Sequence, residues 1–145
     1  MNSMRQSLVT IKQAQELKAL GFRDKVSTAM NVKTGNIYPS ISMNHNRMPH
    51  WVSIPTVDEV IDWFRRKHDV IIYNTRAPFV DPTDSKSRIS YAFSIKFCSK
   101  RDGWNGRIHV GYSGCSYNIY AAKRRAISIA ISWLKQQNKR KPKRL

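Results

Sequence analysis

Apolar and polar residues alternate along segment 90–98, where every second position carries a large apolar side chain. The apolar set is Tyr91, Phe93, Ile95 and Phe97, and the set between them is Ser90, Ala92, Ser94 and Lys96. Successive side chains of a strand point to opposite faces of its sheet, so this pattern predicts a strand with one face turned inward. Segment 107–112 alternates in the same way, and segment 70–74 is short and β-branched. We therefore predict three antiparallel strands, the last two joined by a hairpin turn at 102–106.

Three other segments carry apolar residues at the spacing of a helix. The first spans 9–22, with Thr10 as a candidate N-cap and Gly21 as its stop. The second begins after Thr56 and ends near Asp69, and its apolar stripe is Val57, Val60, Ile61 and Phe64, with Trp63 at the edge. The third spans 119–137, with Ser116 or Asn118 as its cap. Its inner face is Ala122, Ala126, Ile129, Ala130, Trp133 and Leu134, widened by Ile127 and Ile131.

These elements predict an α+β fold in which a three-stranded antiparallel sheet carries helices packed on one face, in the order αβββα, preceded by an N-terminal helical extension. We expect one domain over residues 1–137, with its core at 55–137 and the extension at 1–54. Segment 23–53 has turn signals but no sustained period, which predicts a loose hairpin or irregular structure. Segment 138–145 has no apolar period and is expected to be a mobile basic tail.

The element order resembles that of the double-stranded-RNA-binding domains. Ala122 and Lys123 match the Ala-Lys pair of that family's second helix, and Ala126 and Ala130 match its small packing positions. The two lysines that precede the pair in the family are absent here, and loop 76–88 lacks the family's Gly-Pro and His. The resemblance covers residues 55–137 and implies the fold more than the RNA contact.

A second resemblance lies in the sequence itself. The runs Leu-Lys-Ala-Leu-Gly-Phe at 17–22 and Pro-Thr-Val-Asp-Glu-Val-Ile-Asp-Trp-Phe-Arg at 55–65, followed by an Ala-rich final helix, are similar to a group of small proteins encoded by phages and mobile elements of gut Bacteroidales. The similarity covers nearly the whole chain, and the shared motifs are structural. It implies a phage or mobile-element type of protein and brings no activity with it.

The distribution of charge points to a class of partner. The chain carries 26 Lys or Arg against 9 Asp or Glu, a net charge of +17, and no acidic residue follows Asp102. A surface of one sign attracts a polyanion, and nucleic acid is the commonest polyanion in cells. We therefore expect nucleic acid, DNA or RNA, as the partner. An acidic protein partner is the alternative that charge alone leaves open, and the sequence gives no oligomeric state.

The candidate nucleic-acid-binding residues lie in three places: the turn between the last two strands, the start of the last helix and the tail. They are Lys100, Arg101, Trp104, Arg107, Lys123, Arg124, Arg125, Lys139, Arg140, Lys141, Lys143 and Arg144. The cations can follow a phosphate backbone without recognising its sequence. Trp104 lies among cations and could stack on a base, or it could fold back over the sheet edge.

No set of residues predicts catalysis, a metal or a cofactor. Asp58 and Asp62 share a helix face, but their place in its first turns is explained by the helix dipole. Cys98 could act as a nucleophile only with His109 as its base, and no oxyanion site is evident. The histidines lack metal-ligand spacing. We therefore expect a non-enzymatic protein, with an interaction module for a host factor or virion component as the second hypothesis and a nuclease as the weakest.

Two sequence patterns bear on the compartment of the protein and on membrane association, and both are absent. No apolar run approaches the roughly 20 residues of a membrane span. The first residues show no apolar region of the kind a signal peptide contains. We expect a cytoplasmic protein, in the host cell if it is phage-encoded, with free thiols at Cys98 and Cys115.

Overall fold

A computed structural model describes residues 7–74, 79–80, 82–83, 85–86, 88–97, 109–116 and 118–140. The helices and strands in chain order are α1 (Ile11–Ala19), β1 (Val26–Asn31), β2 (Ile37–Met43), β3 (Trp51–Ser53), α2 (Val57–His68), β4 (Val70–Asn74), β5 (Phe79–Val80), β6 (Ile89–Phe97), β7 (His109–Ser116) and α3 (Ile119–Arg140), and a 3-10 helix lies at His45–Arg47. The predicted α+β class is confirmed.

The described chain divides into two compact units. One contains the residues up to Val60 and those from Ile131 onward, and the other contains Ile61–Ala130. Whether residues 1–137 form one domain is not decided by this division, so that expectation stays a prediction.

In the first unit, helix α1 has a defined signal at each end. Thr10 Oγ1 accepts a hydrogen bond from the Gln13 N–H, and Gln13 Oε1 accepts one from the Thr10 N–H, both at 3.1 Å. This capping box satisfies two N–H groups that the helix leaves open. At the other end Gly21 has φ 90°, and the Phe22 N–H donates to the Leu17 carbonyl at 2.9 Å. The predicted cap at Thr10 and stop at Gly21 are both confirmed.

The first unit also contains an antiparallel sheet in the order β2-β1-β3. The hairpin predicted within segment 23–53 is present as β1 and β2, whereas the alternative of an irregular segment was wrong, because β3 completes a sheet. Strand β2 is exposed along nearly its whole length, so it has no apolar face for a pattern to reveal. Strand β1 shifts register between Val26 and Thr28, which breaks its alternation, and β3 has only three residues.

Helix α2 begins with a second capping box, in which Thr56 and Glu59 exchange hydrogen bonds of 2.9 and 3.1 Å. The cap at Thr56 agrees with the sequence prediction. The apolar stripe differs at one position, because Trp63 is buried and Ile61 is only half-buried. The Trp63 ring packs edge-on against Phe64 at 5.0 Å and against His68 at 4.6 Å. These contacts explain why the large ring is covered.

In the second unit β6 is the central strand of an antiparallel sheet. It pairs with β4 from Val70↔Phe97 to Asn74↔Phe93, and with β7 from Phe97↔His109 to Tyr91↔Ser116. The short β5 pairs with the start of β6. The three predicted antiparallel strands are confirmed, although β7 runs to residue 116, and the predicted turn at 102–106 lies outside the described residues.

The inward face of β6 is the predicted one, with one exception. Phe93, Ile95 and Phe97 are buried, whereas Tyr91 is half-buried. On the alternate positions Ser90, Ala92 and Ser94 are buried as well. These side chains are small, and β6 has a paired strand on each edge, so little of them is open to solvent. The alternation therefore predicted which way each side chain points but not how exposed it is.

Helix α3 is capped by Asn118, whose Oδ1 accepts hydrogen bonds from the N–H groups of Tyr120 and Ala121 at 2.9 and 3.1 Å. In the second unit its buried residues are Ala122, Ala126, Ile127 and Ala130, and in the first they are Ile131 and Leu134. The predicted face placed Ile129 and Trp133 inward, but Ile129 is 38% exposed and Trp133 half-buried. The helix continues through 138–140, where the basic tail was predicted to begin.

Candidate nucleic-acid interface

Three consecutive cations, Lys123, Arg124 and Arg125, form what we call the α3 basic cluster. Each residue of an α-helix is turned by about 100° from the one before, so three in sequence spread over about 200° of the helix surface. Accordingly, Arg125 is exposed, while Lys123 and Arg124 are half-buried. Within the cluster, Arg125 therefore offers the most accessible charge.

Lys123 is held against the sheet. Its Nζ lies 5.9 Å from the centre of the Phe93 ring, at the outer limit of a cation–π contact. Phe93 is buried on the central strand of the sheet. Lys123 thus lies between the apolar core of the second unit and its surface, and its aliphatic stem can pack while its ammonium stays near solvent.

The other run of cations, at the end of α2, is explained by the helix itself. Arg65, Arg66, Lys67 and His68 occupy the last turn, and Asp58 and Glu59 occupy the first. This is the arrangement that a helix dipole favours. Asp62 adds a local partner, because the Arg65 Nη2 and Arg66 Nε atoms each lie 2.6 Å from one of its carboxylate oxygens. The hydrogen bonds from Arg66 and then Arg65 lower the pKa of Asp62 below its ordinary value of 3.8.

In helix α3 the dipole accounts for the cations at its end, and Lys135 pairs with Glu16, but neither explains the cations near its start. Its 22 residues contain six Lys or Arg and no Asp or Glu, and three of the six lie in its second turn. The dipole disfavours cations near a helix N-terminus, although the effect fades within about one turn. The dipole therefore does not explain cations at this place, and an approaching phosphate group would favour them.

The remaining predicted cations divide by where they lie. Lys139 is exposed near the end of α3, in the first unit, and Arg140 is the last residue of that helix. The predicted residues outside the described part of the chain are Lys100, Arg101, Trp104, Arg107, Lys141, Lys143 and Arg144. The structure thus brings together the α3 basic cluster, and the predicted approach of the hairpin turn to that cluster stays a prediction.

Sequence reasoning missed a recess in the first unit. It has a volume of about 290 Å³ and is lined by Ala29, Tyr38, Pro39, Ser40, Met43, His45, Met48 and Trp51. The rings of Tyr38 and Trp51 lie 6.1 Å apart with their planes tilted by 59°. These residues are spread over a segment that showed no period, so only their aromatic and methionine content could have drawn attention to them.

Hydrogen bonds fix the wall of the recess that carries His45. The His45 N–H donates to Ser53 Oγ at 3.1 Å, and the Ser53 N–H donates to Asn46 Oδ1 at 2.8 Å. Lys18 Nζ donates to the Trp51 carbonyl at 2.7 Å and to the Met48 carbonyl at 3.3 Å. The residue His45 is 3% exposed, and its Nε2 has no hydrogen-bond partner. A buried polar atom in this state is rare in a native protein.

Metal binding and membrane insertion are two other functions on which the described residues bear. Among the described residues, no three His, Cys, Asp or Glu side chains are grouped so that they could hold a metal ion. In the same part of the chain, no helix is both long and apolar enough to cross a membrane. Cys98 lies outside the described residues, so its pairing with His109 is not placed.

Comparison with known proteins gives no relative: no protein-family model, no curated protein and no solved structure matches this chain.

Proposed function

We propose that this protein is a small basic accessory protein, of the phage or mobile-element type, that binds nucleic acid mainly through phosphate contacts and without catalysis. The observation that carries the proposal is helix α3, with six cations, no anion and the α3 basic cluster in its second turn. We propose the cytoplasm of the host cell as its place of action.

Phosphate contact is the mode that this surface favours. Duplex DNA carries one negative charge for about every 1.7 Å of its axis, so a row of cations releases many condensed counterions when it binds. Such contacts supply affinity and position but no sequence information. The proposal therefore concerns DNA and RNA alike and includes no preferred sequence.

The first test is direct binding of the intact chain. Fluorescence anisotropy with a labelled DNA duplex, an RNA duplex and a single strand should show binding at about 50 mM salt, where non-specific phosphate contacts are strong. Affinity should fall steeply as salt is raised. Absence of binding to all three probes at low salt would rule the proposal out.

A second candidate function is a protein-interaction module for a host factor or virion component. The exposed edge strand β2 favours it, because Ile41 is 78% exposed and Tyr38 on the same strand is 43% exposed. An edge strand offers unpaired backbone groups to another chain, although Pro39 removes one donor from this edge. Ile41→Lys distinguishes the two functions, because it should weaken binding to a protein partner and leave nucleic-acid affinity unreduced.

A further inference from the structure

We propose that the recess of the first unit binds a nucleobase, taken either as a free nucleoside or as an unpaired base of a single strand. Three features of the recess lead to this ligand: its size, its aromatic walls and the buried imidazole of His45. The proposal goes beyond the phosphate interface of α3 and does not depend on it, because an uncharged nucleoside tests it alone.

The size of the recess limits the ligand to one ring system. Its volume of about 290 Å³ is just below the range for ligand pockets, which is roughly 300–1,000 Å³. Ala29 is paired with Tyr38 on one strand and with Ser53 on the other, so a small side chain occupies the centre of the sheet at this point. The space exists because this central position carries only a methyl group.

The aromatic residues suit a flat ligand. Tyr38 on β2 and Trp51 on β3 both line the recess, and neither ring is buried. Every base has a flat π-face, and stacking on aromatic side chains is the usual way in which proteins hold unpaired bases. The thioethers of Met43 and Met48 add polarisable walls that adapt to a ring edge.

His45 distinguishes a heterocycle from a purely apolar occupant. Its Nε2 is either a donor or an acceptor, according to the tautomer, and it is buried without a partner. The edge of a nucleobase presents donors and acceptors side by side, so it can satisfy either tautomer. A leucine or phenylalanine side chain of a partner protein would leave Nε2 unpaired, which is the costly state for a buried polar atom.

A soft metal ion is the competing ligand, because thioether and imidazole groups line the same recess and such groups select Cu(I). Silver(I) serves as its stable probe, in a chain with Cys98→Ser and Cys115→Ser so that no thiol competes for the ion. Tight binding of silver(I) that is lost in His45→Phe, together with nucleoside affinity too weak to saturate, would assign the recess to a metal ion and overturn the proposal.

The experiment is a titration of the full chain with adenosine, guanosine, cytidine and uridine at high salt, followed by the side-chain nitrogen resonances of the histidines. We expect at least one nucleoside to shift the His45 Nε2 resonance, with an affinity that does not change with salt. His45→Phe should weaken binding at least about tenfold, the loss typical of one buried hydrogen bond, while the protein stays folded. His50→Phe, an exposed neighbour in the same loop, is the matched control and should bind as the parent does.

A short single strand and an abasic strand of equal length distinguish the two sources of the base. Binding of the base-containing strand that depends on His45, without binding of free nucleosides, assigns the recess to bases within a strand. If His45→Phe binds nucleosides and strands as tightly as the parent chain, the proposal is wrong. Because the abasic strand retains its phosphates, its binding reports separately on the α3 interface.

Discussion

The ammonium group of Lys123 lies 5.9 Å from the centre of the Phe93 ring, where α3 meets the central strand of its sheet. The sequence placed these residues in different roles, Phe93 as part of the inward sheet face and Lys123 as a phosphate contact. Their proximity confirms that this side of β6 is turned toward α3. Lys123, a candidate phosphate contact, therefore lies next to a residue of the core.

The first prediction concerns the burial of Phe93. Phe93→Ala should lower the free energy of unfolding by about 3–5 kcal/mol, because it removes a buried ring and leaves a cavity. Urea denaturation measures the change. Ile41→Ala, on an exposed strand, is the control and should stay within about 0.5 kcal/mol of the parent. A Phe93→Ala protein as stable as the Ile41→Ala protein would mean that the inward face of β6 has been assigned wrongly.

The second prediction concerns the start of α2. Thr56→Ala should cost about 1 kcal/mol of stability, because it leaves the Glu59 N–H without its acceptor. Thr56→Ser retains the hydroxyl and should recover most of the loss. Thermal unfolding of the two variants measures the difference, and equal stability of both would show that the capping box contributes nothing.

The third prediction is a pH dependence at Asp62. Its carboxyl has a folded-state pKa below the ordinary 3.8, owing to hydrogen bonds from Arg66 and Arg65, so the ionised form stabilises the fold. This stabilisation is present above the ordinary pKa and is lost as the pH falls through the lowered folded-state value. The group is exposed, so the effect is small and screened by salt.

A comparison of the parent chain with Asp62→Asn measures that dependence. The parent should be slightly more stable at neutral pH, and the difference should vanish in strong acid. A carboxyl resonance for Asp62 that titrates at or above 3.8 would contradict this account of the ion pair.

The sequence predicted those elements whose local signals are strong. The alternation of β6, the caps at Thr10 and Thr56 and the stop at Gly21 all appear in the structure because each depends on neighbouring residues alone. The order of the three strands after α2 followed from their spacing along the chain.

The first sheet and the recess could not be predicted in this way. Strand β2 is exposed on both faces, so it carries no apolar period, and its place in the sheet depends on β1. The recess depends on residues from 29 to 51 that only the sheet brings together. His45 was visible as a loop histidine, but its burial and its unpaired Nε2 are products of packing.

Trp63 is buried on the inner face of α2 and Ile61 is not, and this too is decided by packing rather than by the sequence pattern. Both residues lie beside the stripe formed by Val60 and Phe64, and helical spacing alone does not choose between them. The ring contacts of Trp63 with Phe64 and His68 settle which one is covered.

The measurement that tests the central claim most directly is the salt dependence of duplex DNA binding by two matched double variants. Arg124→Gln with Arg125→Gln removes two charges from the α3 basic cluster, and Lys12→Gln with Lys33→Gln removes two charges from exposed positions elsewhere. Each lost phosphate contact should reduce the slope of log affinity against log salt by about 0.9. We expect the first variant to lower the slope by about 1 to 2 and to weaken binding to all sequences alike, and the second to leave the slope unchanged. Equal slopes for the parent and both variants would contradict the claim that α3 binds the phosphate backbone.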